Sequence, residues 1–180
     1  MLNINGLNIP IVYNTNSYEN IETLKLLEGY VDVYLPDLKY FDDESAIKYS
    51  KAPNYFETAT SAIKEMIRQV GTPEFDENGI IKKGVIIRHL VLPTHITETK
   101  KILEWIKINL PKDIFVSIMA QYFPTYKAKN NNEYKEIGRK LHKREYDLVC
   151  DMLCDIENGY IQDLEDFEEE YVPNFDLSGV

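Results

Sequence analysis

The 180-residue sequence predicts an α/β fold, because short β-rich runs alternate with amphipathic helical stretches. Strands are predicted at 9–14, 31–37, 85–93 and 113–124, and helices at 17–29, 42–50, 53–71, 97–110 and about 134–156. This alternation is typical of parallel βαβ units with right-handed crossovers. About four parallel strands with covering helices fit either a small doubly wound sheet or part of a (β/α) barrel. Polar residues at the carboxyl ends of all four strands favour the barrel.

The elements of the first half are assigned from residue type and periodicity. The strand IPIVYN leads into a helix with Ser17 as its N-cap and Gly29 as its stop. The strand VDVYLPD precedes a short helix and then a longer one, whose apolar stripe ends at Gly71.

The second half begins with the segment 72–84, whose turn-forming residues predict an excursion between elements. The strand VIIRHLVLP is nearly all β-branched or Leu, which is typical of a strand buried on both faces. The next helix ends before Pro111, and the strand DIFVSIMAQYFP follows it. A loop at 125–133 precedes the final helix.

Length and composition predict one globular domain at 1–162 and an acidic tail at 163–180. The tail is interpreted as a solvated segment, because it carries no basic residue and an excess of carboxylates, among them Glu165, Asp166, Glu168, Glu169 and Glu170. The formal net charge of −10 argues against general binding to nucleic acid or to anionic membranes.

The sequence predicts a cytoplasmic protein. No apolar run approaches the roughly 20 residues of a membrane span, and the first residues lack the features of a signal peptide. Cys150 and Cys154 are the only cysteines, and they are four residues apart in a predicted helix. They are interpreted as small apolar core residues, because a disulfide is rare in this compartment and further zinc ligands are missing nearby.

Two strand ends carry candidate ligand-binding side chains. Asp37 and Lys39 are two apart, so they share a face, where they could hold a zwitterionic ligand or form a local ion pair. Asn14 and Thr15 could provide oxygens for a hard cation or a ribose, or could simply form a turn.

The last two strands add further candidates. Arg88 lies in an apolar strand, where its charge is costly unless it meets an anion in the barrel interior or a neighbouring acid. His89 alternates to the other face and is interpreted as a core histidine. Gln121 and Tyr122 are predicted as hydrogen-bonding residues at the rim. The sequence contains no Gly-rich phosphate loop, nucleophile elbow or HExxH motif.

Seven segments, in order, resemble the carboxyl-terminal two-thirds of a radical S-adenosylmethionine protein similar to pyruvate formate-lyase activating enzyme. They are IPIVYNTNSYE, VDVYLPDLKY, AIKYSKAPNYF, EMIRQVG, GVIIRHLVLP, SIMAQYFP and NGYIQDL. The resemblance implies an incomplete (β/α)6 partial TIM barrel. It also implies a parent activity in which a [4Fe–4S] cluster reductively cleaves S-adenosylmethionine to a 5′-deoxyadenosyl radical.

The same resemblance implies roles for the candidate residues on the first two strands. Asn14 and Thr15 resemble positions near the bound nucleoside and a cation site, although the activating enzymes usually carry Asp at the position of Asn14. Asp37 and Lys39 resemble positions near the methionyl carboxylate and that cation.

Roles for the later strands follow in the same way. Arg88 resembles the arginine that faces the adenosyl moiety. Gln121 and Tyr122 resemble rim positions of the sixth barrel strand.

The chain departs from this family in lacking the C-x3-C-x2-C motif that binds the cluster. Two cysteines cannot supply three thiolates, so the cluster is not expected to bind to this chain alone. We therefore expect a truncated enzyme, inactive by itself, whose partners are an amino-terminal half carrying the motif and a protein substrate. Without that half, the first strand would be an exposed sheet edge that favours association.

Other interpretations stay open. The chain could be the distal half of a split enzyme. It could instead be a non-catalytic binding or scaffold module that keeps the nucleotide rim or engages a basic partner through its acidic tail. A small hydrolase or isomerase with Asp37 and Lys39 as acid and base is least favoured, because no nucleophile constellation accompanies them.

Overall fold

The structure, a computed structural model, describes residues 9–153, 156 and 158–161 and has an α/β fold. The strands are β1 (Val12–Thr15), β2 (Val33–Pro36), β3 (Glu74–Phe75), β4 (Ile81–Leu90), β5 (Phe115–Met119) and β6 (Gly159–Ile161). The helices are α1 (Ile21–Leu26), α2 (Asp43–Ser50), α3 (Tyr55–Val70), α4 (Ile96–Asn109), α5 (Tyr126–Asn130) and α6 (Lys143–Leu153), and a 3-10 helix spans Asn132–Ile137. The described strands form one mostly parallel, six-stranded sheet.

The parallel strands lie in the order in which they occur along the chain, β1-β2-β4-β5-β6, and β3 pairs antiparallel with β4. An isolated parallel bridge joins Asp37, just past β2, to Arg88, which lies beside Ser117 of β5. Because crossovers between parallel strands are right-handed, strands added in one direction carry their connecting helices on the same side of the sheet. The long helix α3 packs on β2 and β4 in this layer.

The two faces of the sheet differ accordingly in exposure. Tyr34, Ile87 and Ile118 point toward the helices and are at most 1% exposed. Their neighbours along the strands point the other way and are, with few exceptions, only partly buried. We call this second side the open face, and it is formed by Val12, Asn14, Val33, Leu35, Asp37, Ile86, Arg88, Leu90, Phe115, Ser117, Met119 and Tyr160.

Helix α1 begins later than predicted. Its N-cap is Asn20, whose side chain accepts a hydrogen bond from the Glu22 amide, whereas Ser17 lies in the preceding turn with φ at 66°. The predicted cap at Ser17 is therefore wrong, and Asn20 caps the helix instead. The end of α3 agrees with the prediction, because Gly71 follows its last residue with a positive φ.

The segment 72–84 is a β-hairpin, not only a turn-rich excursion. Strand β4 starts at Ile81, earlier than predicted, and β3 pairs with it. Gly84 permits this pairing, because its φ is 117° and an added Cβ would lie 2.5 Å from the Pro73 Cα.

The carboxyl-terminal part differs most from the prediction. The predicted loop at 125–133 contains α5 and the start of the 3-10 helix, and the predicted helix at 134–156 is reduced to α6. Asn131 and Gly138 flank the 3-10 helix and interrupt a continuous helix there. Strand β6, which was not predicted, pairs with β5.

Two predictions concern residues outside the described part of the chain, namely Cys154 and the acidic tail at 163–180. Cys150 is partly buried and packs against the core, which agrees with its interpretation as a core residue. Among the described helices, each is too short or too polar to cross a membrane.

Candidate functional site

Three neighbouring strands contribute one polar cluster to the open face. Arg88 of β4 donates from Nη2 to Asp37 Oδ1 at 2.5 Å and to Asn14 Oδ1 at 2.6 Å. Asn14 lies in β1 and Asp37 directly follows β2, so all three side chains lie toward the carboxyl ends of their strands. Two alternatives were predicted for Arg88, an anion in a barrel interior or a neighbouring acid, and the structure shows the pairing with the acid Asp37.

Lys39 completes this cluster. Its Nζ lies 3.3 Å from Asp37 Oδ2, so the two residues share a face, as predicted, and form the ion pair that was one of the two alternatives for them. The Asp37 side chain is 14% exposed, and its single carboxylate pairs with both Lys39 and Arg88. The cluster carries a net positive charge on a partly buried surface, which favours an anionic group as an additional partner.

One hydrogen-bond donor of the cluster is unused. Arg88 Nε is buried and has no partner among the described residues. Buried donors are nearly always satisfied in folded proteins, so this nitrogen implies an acceptor beside it, such as a water molecule or a ligand atom. The guanidinium therefore retains capacity for an acceptor that the described residues do not supply.

The backbone around the cluster is held by Tyr55, which sequence reasoning missed. Its hydroxyl donates to the Asp37 carbonyl oxygen at 2.9 Å, lies 3.0 Å from the Asn16 carbonyl oxygen and accepts the Lys39 amide at 3.1 Å. Burial raises the pKa of Tyr55, so the hydroxyl stays protonated. The only signal in the sequence was an aromatic residue at the start of α3.

The remaining predicted residues lie apart from this cluster. Thr15 points to the helix side, where its hydroxyl donates to Glu19 at 2.5 Å and accepts the Ser17 amide at 3.1 Å. It forms the turn that was the alternative to a ligand role. Tyr122 donates to the Ile137 carbonyl oxygen at 2.8 Å and supports the 3-10 helix, and burial raises the pKa of Tyr122 to about 12.

Gln121 extends the open face beyond β5. Its Nε2 lies 3.7 Å from the Met119 sulfur, on the same side of the strand. The structure therefore brings together Asn14, Asp37, Lys39 and Arg88, with Gln121 on the same face just past β5, the strand next to β4.

His89 is a core histidine, as predicted. It is 2% exposed, with Nδ1 at 2.6 Å from the Leu38 carbonyl oxygen and Nε2 at 2.9 Å from Thr99 Oγ1. Burial lowers the pKa of His89, and the hydrogen bond with the Leu38 carbonyl oxygen and the charges of Glu98 and Asp37 oppose this effect only in part. Its role is to link β4 to α4.

A second polar feature was not predicted from the sequence. We call it the polar cleft, a space of about 360 Å³ between α2 and the start of α4. A chain of hydrogen bonds runs along its wall. His95 contacts Glu98 through Nδ1 and the Tyr49 hydroxyl through Nε2, both at 2.9 Å, and Tyr49 donates to Glu136 at 2.7 Å.

Glu98 anchors this chain. Burial alone would raise its pKa, but hydrogen bonds from His95, Ser45 and the amides of Phe41 and Asp42 lower the pKa of Glu98 to about 2. The carboxylate is thus ionised at neutral pH and joins α4 to the start of α2. A signal existed in THITE, where His95 and Glu98 are three apart, but their partners are distant in sequence.

The described residues contain no group of three His, Cys, Asp or Glu side chains placed to hold a metal ion. Near Asn14 and Asp37, where the resemblance implies a cation site, the described residues place one carboxylate and one amide. Divalent cations such as Mg²⁺ and Ca²⁺ usually bind more oxygens than these two side chains supply.

No family model matches the chain. The uncharacterized protein MJ0674 of Methanocaldococcus jannaschii is similar to it, with 39% identity over 146 residues. The alignment covers 81% of this chain and 38% of the archaeal protein. The chain therefore spans well under half of the length of this relative.

Proposed function

We propose that the chain is the carboxyl-terminal part of a radical S-adenosylmethionine protein of the pyruvate formate-lyase activating type, and that its open face binds S-adenosylmethionine. One observation carries this proposal. Asn14, Asp37 and Arg88 form a single cluster where three adjacent parallel strands end. Ligands of parallel α/β proteins bind at this end of the strands.

The strand order supports a partial barrel. A doubly wound sheet reverses its strand order at a switch point and carries helices on both faces. Here the parallel strands follow chain order, and within the described part of the chain helices cover one face of the sheet more fully than the other. We propose that this sheet curls around its open face, which would form the interior of an incomplete (β/α)6 barrel.

The residues of the cluster fit the charges of S-adenosylmethionine. Its methionyl carboxylate suits Lys39 and the guanidinium of Arg88, and its ammonium or sulfonium suits Asp37. Asn14 supplies an amide for a ribose hydroxyl. When bound and reduced, this cofactor supplies a 5′-deoxyadenosyl radical, and the role of the present side chains is to bind it and orient it.

A [4Fe–4S] cluster does not fit this chain alone. It requires three cysteine thiolates besides S-adenosylmethionine, and the whole sequence contains two cysteines, far from the open face in sequence. We therefore assign no redox step to these residues. A separate or longer polypeptide with C-x3-C-x2-C would supply the cluster, and the greater length of the archaeal relative agrees with such an arrangement.

A calorimetric titration of the folded chain with S-adenosylmethionine and with S-adenosylhomocysteine tests the proposal. We expect saturable binding that Arg88→Met and Asp37→Asn each weaken roughly tenfold or more, because each removes a hydrogen bond to a charged group. Arg68→Met is the matched control, because Arg68 pairs with Glu28 and Glu65 on the helix side. Equal affinity of all variants, or no binding of either nucleoside, would contradict the proposal.

A second candidate function is a non-catalytic binding module. Two cysteines are too few to bind a [4Fe–4S] cluster, and this favours a non-catalytic module. Anaerobic iron reconstitution separates the two when the chain is mixed with a polypeptide that carries C-x3-C-x2-C. Cluster-dependent cleavage of S-adenosylmethionine by the mixture supports the enzyme, whereas binding without cleavage supports the module.

A further inference from the structure

A second cleft lies beside the polar cleft and has the opposite character. We call it the basic cleft, a space of about 360 Å³ between the end of α2 and the start of α5. Its walls carry three lysines and three tyrosines, namely Lys48, Lys51, Lys127, Tyr49, Tyr126 and Tyr134. Neither the proposed cofactor site nor the core accounts for this composition.

Two of the three lysines lack an acidic partner within the described part of the chain. Lys48 pairs with Glu136 at 2.5 Å. Lys127 lies over the Tyr126 ring at 5.8 Å, and neither it nor Lys51 forms an ion pair with a described residue. The cleft therefore presents positive charge that the surrounding structure does not neutralise.

This positive charge is a local exception in an acidic protein. The net charge of the chain is −10, yet residues 125–144 contain seven Lys or Arg residues and only two acids, Glu133 and Glu136. Such separation of charge along one chain favours contact between the basic and the acidic parts.

The aromatic side chains make the cleft more than a charged patch. Tyr126 is 82% exposed and has a φ of 47°, so its ring stands at the mouth of the cleft on a strained backbone. Tyr134 is 8% exposed and forms part of the floor. An exposed ring between lysines suits a ligand with alternating carboxylates and apolar rings.

We infer that the acidic tail, residues 163–180, binds in the basic cleft of its own chain. The tail has no basic residue, and from Asp163 to Asp176 it has seven acids, with Phe167, Tyr171 and Phe175 spaced among them. Its carboxylates can form ion pairs with Lys51 and Lys127, and its aromatic rings can pack against Tyr126. The inference does not depend on the proposed function.

The tail is long enough for this contact. Ile161 lies beside Ile118 in the sheet, and Ile118 is seven residues before Thr125, which lines the cleft. The distance from the end of β6 to the cleft is therefore at most about 30 Å. An extended chain covers about 30 Å between Ile161 and Glu170, so the acidic stretch reaches the lysines even at this limit.

Hydrogen exchange of the full chain, read by mass spectrometry, tests this inference. We expect amides of residues 163–176 to exchange at least tenfold more slowly than in an isolated peptide of the same sequence. Lys51→Glu combined with Lys127→Glu, or 0.5 M salt, is expected to remove the protection, because exposed charges are then reversed or screened. The control is Lys83→Glu with Lys112→Glu, two exposed lysines outside the cleft.

The results of this experiment distinguish a tail that binds in the basic cleft of its own chain from a tail that binds elsewhere or to a second copy. Protection that is lost in the cleft variant, kept in the control and independent of protein concentration supports the inference. Peptide-like exchange of the tail in the unmodified chain would overturn it. Protection that the cleft variant retains, or that increases with protein concentration, would place the tail elsewhere or on a second copy and would overturn it as well.

Discussion

Arg88 and Asp37 form an ion pair across the adjacent strands β2 and β4, with Nη2 at 2.5 Å from Oδ1, although 51 residues separate them in the sequence. Their side chains are 25% and 14% exposed, so the pair is neither a screened surface pair nor a fully dry one. The pair also holds the end of β2 against β4, where the sheet pairing is reduced to a single bridge. It is thus important both for the site and for local stability.

Loss of the guanidinium is expected to destabilise the fold moderately. Arg88→Met leaves Asp37 with Lys39 as its remaining cation, and we expect the free energy of unfolding to fall by about 1–2 kcal/mol. Urea denaturation measures this change. Adding Asp37→Asn to Arg88→Met should cost less than the sum of the single changes, because the two residues act as a pair. Strict additivity would show that they do not.

The ionised state of Glu98 is expected to make stability depend on acid pH. Its pKa falls from 4.5 to about 2 in the folded protein. Its stabilising contribution is therefore complete above pH 4.5 and is lost as the pH falls toward 2. We expect Glu98→Gln to cost about 2–3 kcal/mol at pH 6, with the difference closing at pH 2.

Thermal denaturation from pH 6 to 2 measures the contribution of Glu98. Glu104→Gln is the control, because Glu104 lies on the same helix and its side chain is 56% exposed. A gap between Glu98→Gln and the unmodified chain that stays constant with pH would contradict the assignment.

The hydroxyl of Thr99, which hydrogen-bonds to the buried ring of His89, is expected to contribute more to stability than the exposed hydroxyl of Thr97. Thr99→Val removes the hydroxyl that lies 2.9 Å from Nε2, and the ring nitrogen is then buried without a partner. We expect a loss of about 1–3 kcal/mol in the free energy of unfolding. Thr97→Val, at an exposed position of the same helix, should change it by less than about 0.5 kcal/mol. Similar effects of both changes would be evidence against this role of Thr99.

The hairpin before β4 depends on Gly84. An added Cβ would lie 2.5 Å from the Pro73 Cα, and φ is 117°. Gly84→Ala is therefore expected to cost more than about 2 kcal/mol and to separate β3 from β4. Gly79→Ala measures the cost of the positive φ without a steric clash, because Gly79 has a φ of 76° and no atom lies within 4 Å of the added Cβ. We expect this change to lower the free energy of unfolding by about 1 kcal/mol. Chemical denaturation of both variants decides, and equal costs would refute the steric argument.

Strand β1 is expected to promote self-association. Among the described residues it pairs only with β2, and Val12 and Ile9 beside its free edge are 50% and 67% exposed. Val12→Lys should shift the sedimentation of concentrated samples toward monomer, since a charge at a sheet edge blocks strand pairing. Ile108→Lys, at an 81% exposed position of α4, should leave the association unchanged. Equal effects would point to general hydrophobicity instead of the edge.

Local patterns were sufficient for much of the fold. Alternation along the strands placed Asp37 and Lys39 on one face and His89 opposite Arg88, because side chains of a strand point alternately to its two sides. Helix α3 was predicted from its apolar period and from Gly71 after its end. The short segments were less well predicted, since β6 and the 3-10 helix depend on partners more than on their own residues.

Long-range contacts determined the rest. Arg88 meets Asp37 and Asn14, and His95 links Glu98 to Tyr49, although these partners are up to 74 positions apart in the sequence. No local sequence pattern predicts which of such distant residues will be in contact. The sequence left a ligand role open for Thr15 beside the favoured turn, and the contacts of the folded chain show the turn. Residue order alone thus set the alternation of strands and helices and the face of each side chain. The packing of the sheet decided which of those side chains meet, because only folding brings distant strands within hydrogen-bonding reach.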